Sequence, residues 1–436
     1  MAETTLKKTF NSAVLLIYSF AITVVGKFAR VLALFSPKLK AQLAGRPSVS
    51  DLAAVLQRKR KNYKDAVLFF CSSAGEYEQA RPLIDRLVKD KVFVHTLFFS
   101  KSGYDYATAR KDDVSFSLSP ATDSVWDWGW LLAALRPTLT AVVRHELWPG
   151  FIWSAKNYGG LVLIDASRSI GETNSKPKKF VRSALLNMFD KIYAVSKTDA
   201  DFFIQNYNLD QKNVMISGDT KFDRVLERSL SAVNSSSKLS TLLPKVDQRL
   251  VLGSAHPADL ETLLGAVSLD KNLLQGWQVV IVPHHIDAEN IKHFQSRLKD
   301  AGLDSKTYTT IDDGRSMAAN QILILDTMGM LAEAYSFGTA AFIGGASHHQ
   351  VHNVLEPAVH GLNLAWGPRY ESSQEAVQFV NDGIAKVVKT PVDFKTWLNG
   401  ISAMKSSNDN GTANAVGSLT GASDLIFTDW KKILNG

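Results

Sequence analysis

At 436 residues, 45% hydrophobic and 21% charged, the chain has the make-up of a globular protein with room for two separately cored domains. Its net charge of +7 is uneven. Residues 1–65 hold twelve Lys/Arg against three acids, and the remainder sums to −2, which excludes a uniformly basic nucleic-acid binder. The single cysteine, Cys71, excludes an intramolecular disulfide and any Cys-based zinc site.

The chain opens on an uncharged, mostly apolar run, Thr9–Gly26, followed by Lys27, Arg30 and a second apolar patch, Val31–Phe35. A signal peptide fits poorly, because Val24-Val25-Gly26-Lys27-Phe28 is a weak cleavage site. As a helix the run would be ~27 Å long, marginal for a ~30 Å hydrocarbon core. A buried core helix is one alternative. Attachment to a membrane, spanning it or lying in its interface, is the preferred reading, with lysines and arginines meeting anionic headgroups. The positive charge after the run then places the globular part on the cytoplasmic side.

From residue 66, short apolar runs alternate with helix-period segments. Ala66–Ser73, Val92–Ser100, Val114–Leu118, Leu139–Arg144, Leu161–Asp165, Ile192–Ser196 and Val214–Gly218 read as strands, with helices such as Tyr77–Lys89 and Pro149–Asn157 between them. After a Ser-rich break at 228–245, strands resume at Leu250–Ser254, Gln278–Val282, Ile322–Leu325, Ala340–Ile343 and Leu362–Trp366. This is the α/β pattern of two doubly wound Rossmann-like halves. The expected organisation is an N-terminal membrane-associated segment (1–44), a first Rossmann-like domain (45–227) and a second (228–436). Ligands in such folds collect at the carboxyl ends of strands, so a cleft shared by the halves is the expected site.

Those strand ends carry the polar chemistry. In the first half, Ser72-Ser73-Ala74-Gly75-Glu76 leads into a helix, and small residues leave room for a ligand beside Glu76, a candidate general base. The plain alternative is an acid stabilising a helix N-terminus. Glu146 in Arg144-His145-Glu146-Leu147-Trp148-Pro149 is a second carboxylate at a strand end. Asp165-Ala166-Ser167-Arg168-Ser169 and Gly218-Asp219-Thr220-Lys221-Phe222-Asp223 end two more.

In the second half the strand ends are Ser254-Ala255-His256-Pro257, Pro283-His284-His285, Asp326-Thr327-Met328-Gly329, and the run from Gly344-Gly345 through His352-Asn353 to Leu355-Glu356-Pro357. Paired glycines permit close backbone approach. A helix opening at His352-Asn353 would offer N–H groups to an anion, with Glu356 reaching sugar hydroxyls. An ordinary corner with Asn353 as N-cap is the alternative.

Two metal-like patterns are discounted. Asp199-Ala200-Asp201 sits at a helix start, where acids complement the dipole. His348-His349-x-x-His352 lacks the H-E-x-x-H form and nearby paired carboxylates. No metal and no cofactor are expected. The absence of a P-loop, or of G-x-G-x-x-G after the first strand, argues against ATPase and dehydrogenase activity.

Taken in order, these segments resemble the Kdo transferases, which attach 3-deoxy-D-manno-octulosonic acid (Kdo) to lipid A precursors. The resemblance rests on Ala33-Leu34-Phe35-Ser36-Pro37, Ser73-Ala74-Gly75-Glu76, Arg81-Pro82-Leu83-Ile84, Phe98-Phe99-Ser100-Lys101-Ser102-Gly103-Tyr104 and Glu146-Leu147-Trp148-Pro149. It continues through Gly218–Asp223, Asp326–Gly329 and Gly344-Gly345 with His352–Pro357. It implies a GT-B fold, two Rossmann-like domains facing a central cleft, and metal-independent inverting transfer from CMP-Kdo to a lipid A precursor. It also implies a monotopic anchor on the anionic cytoplasmic face of the inner membrane and a place in lipopolysaccharide biosynthesis.

Carried onto this chain, the family's base is Glu76, and Glu146 supports the active site or acceptor. Gly75, Arg81 and Arg168 join them on the acceptor side. The implied donor set is Ser254, His256, His284, His285, Thr327, Met328, Gly329, Gly344, Gly345, His352, Asn353 and Glu356. Where relatives often carry Pro-Arg-His, this chain has Pro283-His284-His285, and the arginine of their glycine loop is absent from Ala346–Val351. Two cations are thus replaced by histidines. This leaves open a transferase of another activated acid sugar, or a catalytically inactive CMP-sugar-binding relative.

Overall fold

The computed structural model describes residues 16–26, 28, 32, 35–36, 45–109, 114–168, 175–233, 238–311, 317–403 and 420–434. The chain divides into two compact units, one formed by 1–224 with 420–436 and the other by 225–419.

The first unit is built on strands β1 (Ala66–Cys71), β2 (Phe93–Phe98), β3 (Ser115–Leu118), β4 (Leu139–Val143), β5 (Gly160–Ala166), β6 (Lys191–Ala194) and β7 (Val214–Ile216). They form one sheet in the order β3-β2-β1-β4-β5-β6-β7, every neighbouring pair parallel. β1 is Ala-Val-Leu-Phe-Phe-Cys with all six residues buried. A continuous apolar run of this kind is what a strand covered by helices on both faces requires. One core gathers Phe70, Trp128 and Phe151, the other Phe69, Tyr77 and Trp430.

The second unit repeats the plan with β8 (Gln248–Ala255), β9 (Trp277–Pro283), β10 (Ser305–Thr307), β11 (Ile322–Ile324), β12 (Ala340–Ile343), β13 (Asn363–Trp366) and β14 (Ala385–Val387). Its parallel order is β10-β11-β9-β8-β12-β13-β14. β10 and β14 escape the sequence pattern: each is a three-residue edge strand with a lysine at its centre, too short and polar to form an apolar run.

Near the middle of each sheet the chain crosses from one side to the other. In the first this reversal of direction lies between β1 and β4, in the second between β8 and β12. Helices leave opposite faces of the sheet there, which opens a crevice at the carboxyl ends of the two strands. Glu76 follows β1 and Glu146 follows β4, whereas His256 follows β8 and Gly344 follows β12.

Two sequence expectations are corrected. The domain assignment of the C-terminus changes, because the helix Ala422–Leu434 belongs to the first unit rather than to the second. Trp430 is fully buried against Phe69 at 5.8 Å between ring centroids, and Tyr193 Oη donates to Asp429 Oδ2 at 2.8 Å. The Asp223 carboxylate accepts from the Gly421 and Ser423 N–H groups at 2.6 Å each, which anchors the helix start. Nothing local in the sequence reveals a return over some two hundred residues.

The Ser-rich break is also not a simple linker. Its first part, through Val233, continues the Thr220–Val233 helix, and Lys238–Leu242 forms a short helix of its own. Residues 234–237 lie outside the described set, as does Ser169.

The N-terminal helix, residues 16–26, is tied down along one side. Tyr18 Oη donates to Asp123 Oδ2 at 3.0 Å, and Ser19, fully buried, accepts from the Val125 N–H. Its apolar residues nonetheless point outward: Ile17 is 71% exposed, Phe20 66% and Val25 58%. Among the described residues no helix is long and apolar enough to cross a membrane.

Candidate active site

In the first unit, Ser73 caps the Ala74–Lys89 helix with its side chain and puts Glu76 in the first turn. The Glu76 carboxylate folds back to accept the Ser72 N–H. Burial raises its pKa to about 7. The Ser72 N–H opposes that shift, the neighbouring Glu146 charge adds to it, and Arg144 pulls it down. A carboxyl titrating near neutrality is suited to general-base work.

Glu146 is held by Trp148, whose indole N–H donates to Glu146 Oε2 at 2.6 Å. That indole is itself fixed, packing on Phe99 at 4.8 Å and on Phe70 at 6.4 Å. Behind the two carboxylates lies a polar network. Arg144 Nε donates to Gln79 Oε1 at 2.8 Å, and its guanidinium pairs with Asp219 at 2.9 Å. Asp165, fully buried, accepts from the Thr220 N–H and hydroxyl, and burial next to Asp219 pushes its pKa up.

Arg144 and Asp165 have positive φ, 60° and 52°, each at the end of its strand. Non-glycine residues accept that strain where the surroundings fix them, often at functional sites. Arg144, Asp165 and Asp219 were not among the expected site residues. Their signal was in the sequence as charged residues clustered at strand ends, but their mutual pairing was not.

The remaining acceptor-side residues divide. Gly75 is exposed in the same first turn, with room for a Cβ. Arg81 is a correction: it is buried, its guanidinium donates to Tyr77 Oη at 2.7 Å and it pairs with Asp85, so it braces the helix. Arg168 is exposed, its N–H donates to Asp199 Oδ1 and its guanidinium lies over Phe202 at 5.2 Å. Ser196 caps its helix by accepting the Asp199 N–H, and Asp201 pairs with Lys197, so the Asp-Ala-Asp pair serves the helix start. A 430 Å³ groove runs beside Glu146, with an apolar floor of Leu147, Pro149, Val181 and Leu185 and the cations Lys178 and Arg182.

In the second unit the strand ends converge on histidine. A 540 Å³ cavity is lined by His256, His284, His285, His348, His349 and His352. Burial and neighbouring imidazoles depress His256 to about 4, and His284 and His352 also shift down, burial being the larger cause. Ser254 ends β8 with φ 50°.

The glycine pair has a different use from the one expected. The Gly344 N–H donates to the Gly253 carbonyl and the Gly345 N–H to Asp259 Oδ2 at 3.0 Å, so neither is available to an anion. A Cβ at Gly344 would lie 2.2 Å from the Ser254 carbonyl oxygen, and one at Gly345 (φ +93°) 2.4 Å from that of Gln350. The glycines let one backbone pass against another.

The helix after them also begins later than expected, at Leu355, and is only five residues long. Asn353, one residue before the Val354 N-cap, accepts the Leu355 N–H at 3.0 Å. Glu356 sits in its first turn, its pKa raised by burial and opposed by Arg228 and Asn353. The loop Thr327–Gly329 follows β11, two strands away from β8. Thr327 Oγ1 donates to Met330 Sδ there, Met328 is 80% exposed and Gly329 has φ +86°.

Two parallel Rossmann-like units, each with polar residues at its strand-order reversal, define the GT-B class of architecture. A crystal structure of UDP-GlcNAc 2-epimerase from Neisseria meningitidis bound to UDP-GlcNAc shares this fold, with TM-score 0.57 and 12% identity, covering 84% of this chain and all of that one. Residues 49–224 match the family model described as 3-deoxy-D-manno-octulosonic-acid transferase (kdotransferase).

Among proteins of that description, the one from Aquifex aeolicus (strain VF5) is 24% identical over 79% of this chain and 88% of its own length. The one from Rickettsia typhi (strain ATCC VR-144 / Wilmington) is 26% identical over 82% and 77%. Over most of its length the chain is thus similar to Kdo transferases, and residues 49–224 match their family model.

Proposed function

We propose that this chain transfers Kdo from CMP-Kdo to a lipid A precursor, with inversion at the anomeric carbon. The observation that carries the reading is Glu76: a carboxylate in a helix first turn, at the reversal of the first sheet, with its pKa raised to about 7. Deprotonated, it accepts the proton of the attacking sugar hydroxyl as the new C–O bond forms and the bond to the CMP phosphate breaks. General-base catalysis of this kind contributes about 10²–10⁴-fold. The second unit's role is to hold the departing CMP, whose phosphate gains charge as the bond breaks. The imidazole edges of His285, His348 and His349 in its cavity, not the glycine N–H groups, are the donors offered there.

The groove beside Glu146 suits a phosphorylated, acylated acceptor, since an apolar floor meets alkyl chains while Lys178 and Arg182 meet phosphate. Outward apolar side chains on residues 16–28, with Phe35 81% exposed, support seating in the interfacial region of the inner membrane's cytoplasmic leaflet. The test is incubation with CMP-Kdo and a tetraacylated lipid A precursor, followed by mass spectrometry. Addition of Kdo to the lipid is expected, and no product with any lipid A-type acceptor overturns the reading. A second reading, transfer of another CMP-activated acid sugar, is favoured by His284-His285 standing where relatives often carry an arginine. A panel of CMP-linked acid sugars separates the two.

A further inference from the structure

We propose that His256, His284 and His352 bind a divalent transition-metal ion of the zinc type. The sequence gives no metal motif, because the three residues sit at the ends of three different elements: β8, β9 and the loop after β12. Folding brings one ring nitrogen from each within 4.8 Å of the others. His256 Nε2 and His352 Nε2 are 3.1 Å apart. Zinc–nitrogen bonds of about 2.0–2.1 Å in a tetrahedron place neighbouring nitrogens ~3.3 Å apart, so this pair already has nearly the spacing of one tetrahedral edge.

The rings of His284 and His352 lie 4.4 Å apart at 20°, and those of His256 and His284 4.6 Å apart at 24°. His284 is exposed, so its ring can turn its nitrogen onto the shared point.

Two features make this a built site. First, a single carboxylate holds two of the contributing elements together: Asp259 Oδ2 accepts both the His256 N–H at 2.9 Å and the Gly345 N–H at 3.0 Å, and Oδ1 accepts the Ser347 hydroxyl. The Cα positions of His256 and the loop bearing His352 are therefore fixed before any ion arrives. Second, the donor set is all imidazole, with no carboxylate or thiolate among the three. Such a set suits zinc, cobalt, nickel or copper and gives little to magnesium or calcium, which take oxygen ligands. Three protein ligands leave a fourth position facing the cavity, where an anionic oxygen can bind.

The test uses the full, untagged chain, freed of metal by a chelator and titrated with Co²⁺ alone. One equivalent is expected to give the visible absorption of four-coordinate cobalt, displaced by one equivalent of Zn²⁺ and untouched by millimolar Mg²⁺. His256→Asn, His284→Asn and His352→Asn should each weaken Co²⁺ binding by about tenfold or more, and His349→Asn should not. His284→Asn, at an exposed position, decides the matter if the His256 variant fails to fold. Absence of the cobalt band overturns the proposal, as does binding of several equivalents, or equal weakening by His349→Asn. The readout is spectroscopic and involves no turnover, so its failure is separate from any failure of the transferase reading.

Discussion

At the scale of single residues, Glu76, the proposed base, carries a cost in stability. Its folded-state pKa of about 7 lies above the ordinary 4.5, so the native state binds this proton more tightly than the unfolded chain does. Stability contributed by the group is therefore complete below pH 4.5 and declines as pH rises toward 7. Activity runs the other way, because only the carboxylate accepts a proton, and kcat/KM for transfer should rise through pH 7. Glu76→Gln is expected to lower turnover by about 10²–10⁴-fold while flattening the decline in Tm between pH 4.5 and 7. Thermal unfolding and a pH–rate profile check both. Near-normal turnover of the glutamine variant removes Glu76 as the base.

At the scale of elements, Asp123 and Trp430 do similar work at opposite ends of the chain. The Asp123 carboxylate accepts from the Gly150 and Phe151 N–H groups at the start of the Pro149–Lys156 helix, from the Trp128 indole, and from Tyr18 Oη on the N-terminal helix. Asp123→Ala removes the acceptor from all four at once, at about 1–3 kcal/mol for each buried donor left unpaired. A lowered Tm and faster proteolysis near residues 16–26 are expected; an unchanged cleavage pattern would show that the N-terminal helix holds without it. Trp430→Ala should cost about 3–5 kcal/mol, and denaturant melts should show the loss in the first unit. A loss confined to the second unit would contradict the placement of the C-terminal helix.

Element by element, much of this was readable in advance. All twelve expected strands form, because a strand of a covered parallel sheet is an unbroken apolar run, as Ala66–Cys71 shows. The Glu76 corner was readable for a related reason: Ser73 and Glu76 are separated by the spacing of a helix cap. The glycine pair was misread as a cradle for an anion, since the sequence shows that a Cβ is absent but not what would collide with it. Arg81 reads as a site residue in the sequence because a charge in the middle of a helix gives no sign of which way it points.

At the scale of the whole molecule, charge and apolar surface are both unevenly placed. Residues 1–65 carry +9 of the net charge, and the exposed apolar side chains Ile17, Phe20, Val25, Phe28 and Phe35 fall in the same stretch. Binding to vesicles should thus need both anionic lipid and an apolar face. Flotation is expected with phosphatidylglycerol-containing vesicles, reduced by salt and by Phe20→Asp together with Phe28→Asp. Equal flotation with neutral vesicles in high salt would argue against the electrostatic part.

The sequence by itself determined the two parallel α/β units, the strand ends on which polar residues gather, and the likeness to Kdo transferases, since each of these is written in local runs and motifs. Only the tertiary structure decided that the C-terminal helix returns to the first unit, that the glycine N–H groups are already bonded, and that ring nitrogens of three histidines from separate elements lie within 4.8 Å of one another. The physical reason is separation along the chain. Hydrophobic period and capping act over a few residues, whereas a shared carboxylate or a converging set of imidazoles exists only after distant strands have paired.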